Sequence, residues 1–182
     1  MSSYKEFLKS HYCRIWQSVP VERKLDKGPM NQLSPDFCIL EFASFSGRDM
    51  WTYATSGMSL LLTHETMELH IFSSVQDSSL VELLTVIAYY HATGKQLHLD
   101  DTVNFGRPWQ KDSHCTYGLL SLPYLDGPEL QEIPSYSTEC YWLIPITEQE
   151  RNFKVKFGLE KLEDKFESTG IDYINPNRLS VV

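Results

Sequence analysis

The residues of this chain that could do chemistry are six histidines, four cysteines and a few close carboxylates, and their spacing limits what they can do. His11, His64, His70, His91, His98 and His114 include no His-Glu-x-x-His motif and no tight pair, so the ligand spacing of a zinc site is missing. Cys13, Cys38, Cys115 and Cys140 stand far apart with no Cys-x-x-Cys pair, which predicts reduced structural thiols, Cys38 and Cys140 within buried strands. His114-Cys115 is the one adjacent base and nucleophile, but neighbours on an extended strand point to opposite faces. Asp100-Asp101 reads as a turn or strand end. Glu148 and Glu150 fall in the first turn of a predicted helix, where carboxylates meet the helix dipole favourably. There is no Gly-x-Ser-x-Gly elbow and no phosphate-binding loop, and the nine glycines are too scattered to cradle a nucleotide. The expectation is a protein that is not an enzyme, with no catalytic residue, no metal site and no cofactor.

Apolar periodicity marks the elements that position these groups. Tyr4, Phe7, Leu8, Tyr12, Ile15, Trp16 and Val19 recur at three-four spacing, predicting an amphipathic helix within residues 1–20 that Pro20 stops. Residues 21–36 are polar, carry Gly28-Pro29 and Ser34-Pro35, and read as a surface loop. From Phe37 the period becomes two, with Cys38, Leu40 and Phe42 on one face and Ile39, Glu41 and Ala43 on the other. Ser46-Gly47-Arg48-Asp49 supplies a turn, and Met50 to Thr55 returns as the second strand of a hairpin, with Trp51, Tyr53 and Thr55 on a shared face. Alternation alone leaves open whether that face meets a partner or the core. Gly57 sits between strand and turn, where positive φ or close backbone approach is cheap only for glycine. Met67, Leu69 and Ile71 alternate with Glu68, His70 and Phe72 in a third strand, so this end favours an antiparallel sheet.

Ser79 with Glu82 has the pattern of a capping box, and Leu80, Leu83, Leu84, Ile87 and Ala88 line one face of a helix that runs to Gly94. Apolar runs at 97–103, 116–122 and 140–146 predict later strands. The unbroken run Tyr141-Trp142-Leu143-Ile144-Pro145-Ile146 reads as a strand buried on both faces, and Thr147 as N-cap with Glu150 three residues on predicts that it feeds directly into a helix. Pro145, lacking a backbone N–H, is expected to end the strand pairing. Phe153, Phe157, Leu159, Leu162 and Phe166 then indicate helix, broken near Gly158 and ended by Gly170, before an irregular tail from Ile171. The order of elements predicts an α+β fold, a mixed and largely antiparallel sheet packed with helices, as one domain over 1–182.

Hydrophobic residues make up 42% and aromatic residues 13% of the 182 residues, enough to bury a proper core and to exclude a disordered chain. The net charge of −8 repels phosphate backbones, which argues against nucleic acid and suits a basic protein partner. No apolar run reaches the length of a bilayer span, and Met1 to Phe7 lacks the basic cluster and apolar stretch of a secretory signal, so no membrane partner and a cytoplasmic location are expected.

Several segments occur in an order that resembles the Suppressor of fused domain family, in its single-domain bacterial form. They are Trp51-Thr52-Tyr53-Ala54-Thr55-Ser56-Gly57-Met58-Ser59, Met67-Glu68-Leu69-His70-Ile71, the Leu80 to His91 helix, Asp101-Thr102-Val103 leading to Pro108-Trp109, the Pro145-Ile146-Thr147 corner and Asn177-Arg178-Leu179-Ser180-Val181-Val182. The resemblance spans Phe37 to Val182 and implies a non-catalytic protein-binding module. Animal members clamp an extended transcription-factor peptide between this domain and a second one that this chain does not show, and a tyrosine of their peptide-contacting region matches Tyr53. The resemblance implies Tyr53 as a protein-binding residue, and Trp51 and Thr55, which share its face of the strand, are taken as protein-binding with it, while the local chemistry of Gly57, Pro145, Thr147 and Glu150 makes those four structural. Bacterial relatives resemble immunity proteins that neutralise a cognate toxin by binding it; a peptide-binding regulatory scaffold without a toxin partner is the alternative.

Overall fold

Side chains that alternate between two apolar environments need helices on both faces of a sheet, and that is the arrangement found. The computed structural model describes residues 3–60, 66–133 and 136–182. Its strands are β1 (Val21–Arg23), β2 (Cys38–Phe42), β3 (Trp51–Ser56), β4 (Thr66–Ser73), β5 (Thr102–Asn104), β6 (Cys115–Ser121), β7 (Glu132–Ile133) and β8 (Thr138–Thr147). The helices are α1 (Tyr4–Trp16), α2 (Ser79–Thr93), α3 (Pro128–Gln131), α4 (Glu148–Phe157) and α5 (Leu159–Thr169). The strands form one mixed sheet in the order β1-β2-β3-β4-β8-β6-β5, with β7 beside β8. Among the described residues every strand pairing is antiparallel except β4 with β8, where Thr66 to His70 run parallel to Thr138 to Trp142.

The two-residue period of β2 sorts its side chains as expected. Ile39 faces α2 together with Tyr53, Leu69, Ile71 and Leu143, while Cys38, Leu40 and Phe42 face α1 through Leu8, Tyr12 and Trp16. Further along that second face, Phe72, Trp142, Ile144 and Ile146 pack beneath Leu162 and Phe166 of α5.

Five expectations change, one of them at the 97–103 run, of which only Thr102 and Val103 lie in a strand. The first helix ends at Trp16, because Gln17 takes a left-handed conformation (φ 48) before Pro20 is reached. The expected 21–36 loop contains edge strand β1, with Val21, Glu22 and Arg23 opposite Glu41, Leu40 and Ile39, and a 3-10 turn at Pro29–Gln32; three residues are too few to show a period. Ser79 is already helical and no capping box forms there, since the Asp77 carboxylate accepts from Ser79 N at 2.9 Å. Pro145 does not end the strand either. It pairs in register with Gly118, and β8 continues to Thr147, because the Pro145 carbonyl is turned away from β6 toward Arg178. The hairpin, the strand-to-helix corner and the helix break at Gly158 stand where the sequence places them.

Candidate functional site

Tyr53 and Thr55 are fully buried, Trp51 is half-buried, and β3 lies between β2 and β4 with both edges paired. The Tyr53 hydroxyl accepts from Asp77 N at 2.7 Å and so ties the sheet to the start of α2. An edge for strand addition is therefore not available at Trp51, Tyr53 and Thr55, which corrects the placement of a partner along this strand.

What the Trp51 to Ser59 segment does is hold a buried carboxylate. Glu68 of β4 is wholly inaccessible and accepts from Thr55 Oγ1 (2.5 Å), Tyr4 Oη (2.8 Å), Gly57 N (2.8 Å) and Met58 N (3.2 Å). Gly57 reaches it with φ +92, the positive value expected of this glycine. Burial pushes the Glu68 carboxyl above its ordinary value, and the donors from Thr55, Tyr4 and the two amides pull it back. Beside it, Cys140 Sγ lies 3.5 Å from His70 Nδ1 and 3.4 Å from Tyr12 Oη. Burial holds His70 down to about 3 and raises the Cys140 thiol, so this pair is a neutral imidazole and a thiol rather than an activated nucleophile. His114 is exposed in the bend before β6, whereas Cys115, the first residue of that strand, is buried. Among the described residues no cluster of His, Cys, Asp and Glu is placed to hold a metal ion; His64 lies outside them.

The strand-to-helix corner is equally structural. Thr147 and Glu150 form the reciprocal capping box. Glu150 is fully buried and makes a two-pronged ion pair with Arg178, at 2.7 and 2.8 Å. Arg178 also donates to Pro145 O at 2.8 Å, and Val181 N donates to Glu150 at 3.1 Å, so one carboxylate fastens strand, helix and C-terminal tail together. Sequence reasoning identified the cap but not the Arg178 partner, since no local pattern links positions 150 and 178.

The open feature lies at the other sheet edge. β5 pairs with β6 so that Val103 stands opposite Gly118, and with Leu120 N donating to Asp101 O (3.0 Å) and Phe105 N to Thr116 O (2.9 Å) this register turns the main chain of Asp101, Val103 and Phe105 inward. The N–H and C=O groups of Thr102 and Asn104 consequently point outward, without a partner among the described residues. Along them runs a cleft of about 410 Å³, walled on one side by Leu83, Val86, Ile87 and Tyr90 of α2 and on the other by Tyr117 and Arg151. Val86 and Tyr90 are 46% and 42% exposed. Arg151 Nε is buried without a hydrogen-bond acceptor among the described residues, and the guanidinium sits 5.8 Å from the Tyr117 ring centre. The opposite edge, β1, differs: Glu22 is engaged by Lys5 and Lys9 and Arg23 by Glu41, the charged covering that discourages strand addition. Sequence reading placed a strand at 97–103, whereas β5 covers only Thr102–Asn104 and residues 97–101 form a turn leading into it, and nothing in the pattern showed that the strand would be an edge.

Fold and cleft together define a mixed α+β domain with one protected sheet edge and one apolar, accessible edge. The chain matches the Suppressor of fused protein (SUFU) family over residues 35–179. The structure of a protein from Neisseria gonorrhoeae, described as a suppressor of fused homologue, superimposes with a TM-score of 0.89 at 32% identity, over 98% of this chain and 97% of that one. The structure of the Sufu-Fu complex gives a TM-score of 0.68 at 15% identity over 98% of this chain and 92% of that one. Drosophila Suppressor of Fused gives 0.59 at 14% identity over 96% of this chain and 50% of that one. The last two likenesses concern the fold alone. No curated protein matches. The chain belongs to the Suppressor of fused family.

Proposed function

We propose that this chain is a non-catalytic protein-binding module that takes an extended segment of its partner along the free edge of β5. The observation that carries this reading is the outward main chain of Thr102 and Asn104 beside an apolar cleft, where added-strand hydrogen bonds and side-chain pockets occur together. Membership of a family that includes a protein solved as the Sufu-Fu complex supports a protein as ligand. Trp51, Tyr53 and Thr55 serve this reading from beneath, by fixing the sheet, rather than as contacts. The net charge of −8 suits a basic partner, and by resemblance to single-domain bacterial members that partner is a cognate toxin neutralised in the cytoplasm.

Affinity capture with the full chain from its host, followed by mass spectrometry, identifies the partner. Binding of that partner to Tyr90→Ala and Thr102→Pro proteins then tests the site. Tyr90 is exposed, so its truncation should leave folding intact while weakening binding by about 2 kcal/mol if it is a hot spot. Val19→Ala, 79% exposed and remote in sequence, is the control that should bind normally. Unchanged affinity in both β5-edge variants would remove the site from this edge. A captured partner that is harmless when expressed alone would favour the regulatory scaffold over the immunity protein.

A further inference from the structure

A second cleft, of about 440 Å³, opens between α5, the 122–127 turn and the β6–β8 part of the sheet. Its floor is apolar and buried, made by Leu119, Trp142, Ile144 and Phe166. Tyr173 closes one side, its ring 4.8 Å from Trp142 and 6.1 Å from Phe166 between centres. Tyr124 and Leu125 form the rim, 62% and 56% exposed, on a turn held in place by Arg48, which binds Asp126 at 2.7 and 3.0 Å. That pairing neutralises Arg48, so it brings no free positive charge to the cleft.

Two carboxylates line this aromatic cleft, Glu163 and Glu167, one helical turn apart on α5. Like charges at that spacing repel and destabilise a helix. Neither has an ion-pair partner among the described residues; Glu163 accepts only from Tyr124 Oη, at 3.4 Å. Lys161 and Lys165 lie two positions either side of Glu163, a spacing that does not bring side chains face to face on a helix. Asp100, Asp164 and Glu160 add further negative potential around Glu163. Burial, with those neighbours, raises the Glu163 carboxyl above its ordinary value, against the pull of the Tyr124 hydrogen bond.

We propose that this cleft receives a lysine side chain of a protein partner, its methylene stem over Leu119, Ile144 and Phe166 and its ammonium between Glu163, Glu167 and the Tyr124 and Tyr173 rings. An apolar floor matches the stem, and carboxylates with aromatic faces match a cation stripped of part of its water. The exposed rim at Tyr124 and Leu125 offers a neighbouring chain a contact beyond the ammonium itself. This site is separate from the β5 edge and stands or falls independently of it.

The test uses the full chain and four probes: Nα-acetyl-lysine methylamide, its norleucine and glutamate counterparts, and butylammonium. The Trp142 indole resonance and the thermal midpoint are followed in titration. The lysine probe should shift the Trp142 signal saturably, with the norleucine and glutamate probes at least about tenfold weaker. The double variant Glu163→Gln, Glu167→Gln should fold with an equal or higher midpoint, because the like-charge repulsion is gone, yet lose the lysine-dependent shift. Tyr90→Ala should keep it. Equal binding of norleucine and lysine would overturn the charge argument. Butylammonium binding without capped lysine would overturn the protein-borne occupant, and no Trp142 shift with any cation would overturn the site.

Discussion

Tyr53 shows how far a residue's neighbours decide its role. Its ring is closed off on the α2 face, and its hydroxyl is the acceptor that Asp77 N requires. Tyr53→Ala should cost about 3–5 kcal/mol, as large aromatic truncations in cores do, and Tyr53→Phe about 1 kcal/mol for the lost hydrogen bond. Urea midpoints measure both, and partner affinity per folded molecule should not change. His70 governs a pH dependence. The unfolded chain takes up a proton near the ordinary histidine value of 6.5, whereas the folded protein does so only near 3. Between those values the unfolded state binds more protons, so this group makes stability fall as pH is lowered and contributes no slope above 6.5. Glu68 acts in the opposite sense: its raised folded value gives stability that is present at low pH and lost as pH rises through it. His70→Gln should flatten the acid limb of the stability curve by up to about 1.4 kcal/mol per pH unit relative to wild type. Parallel curves for the two proteins would mean that His70 titrates normally.

At the scale of elements, the corner from β8 into α4 concentrates the strongest polar interactions. Thr147→Ala should cost about 1 kcal/mol through the lost cap. Arg178→Met should cost more, about 3–5 kcal/mol, because it leaves the wholly buried Glu150 carboxylate without its cation. If the two variants melted alike, the ion pair would be contributing no more than the cap. This corner also marks what a sequence can and cannot reveal. Thr147 and Glu150 are three residues apart, so their reciprocal bonds leave a local signature, as do the period of β2 and the helix-breaking glycines at 158 and 170. Arg178 reaches Glu150 across twenty-eight positions, and Tyr4 reaches Glu68 across sixty-four. Such pairs follow from the tertiary fold and have no local spacing. The same holds for the cleft at β5: three strand residues carry too little pattern to show that Thr102 and Asn104 would face outward, or that α2 would place Tyr90 beside them.

The whole molecule depends on a layer that the family match does not include. Residues 35–179 leave out α1 and β1, yet Leu8, Tyr12 and Trp16 of α1 are almost wholly buried against Leu40, Ala54 and Cys140 of the sheet. Each such side chain contributes about 1.5–3 kcal/mol of burial, and their sum is a large part of the roughly 5–15 kcal/mol by which a domain of this size is stable. Tyr4 adds a donor to Glu68, so removing the helix would also leave that buried carboxylate less well satisfied. Shortening the chain to residues 35–179 would further remove Val181, whose amide donates to Glu150. The shortened protein should therefore fail to fold cooperatively, exposing the Leu40 and Ala54 face to hydrophobic dyes and losing a sharp melting transition, while the 1–182 chain melts as one unit. A 35–179 protein with a single sharp transition at the full-length midpoint would show instead that α1 is an accessory laid on a self-sufficient sheet.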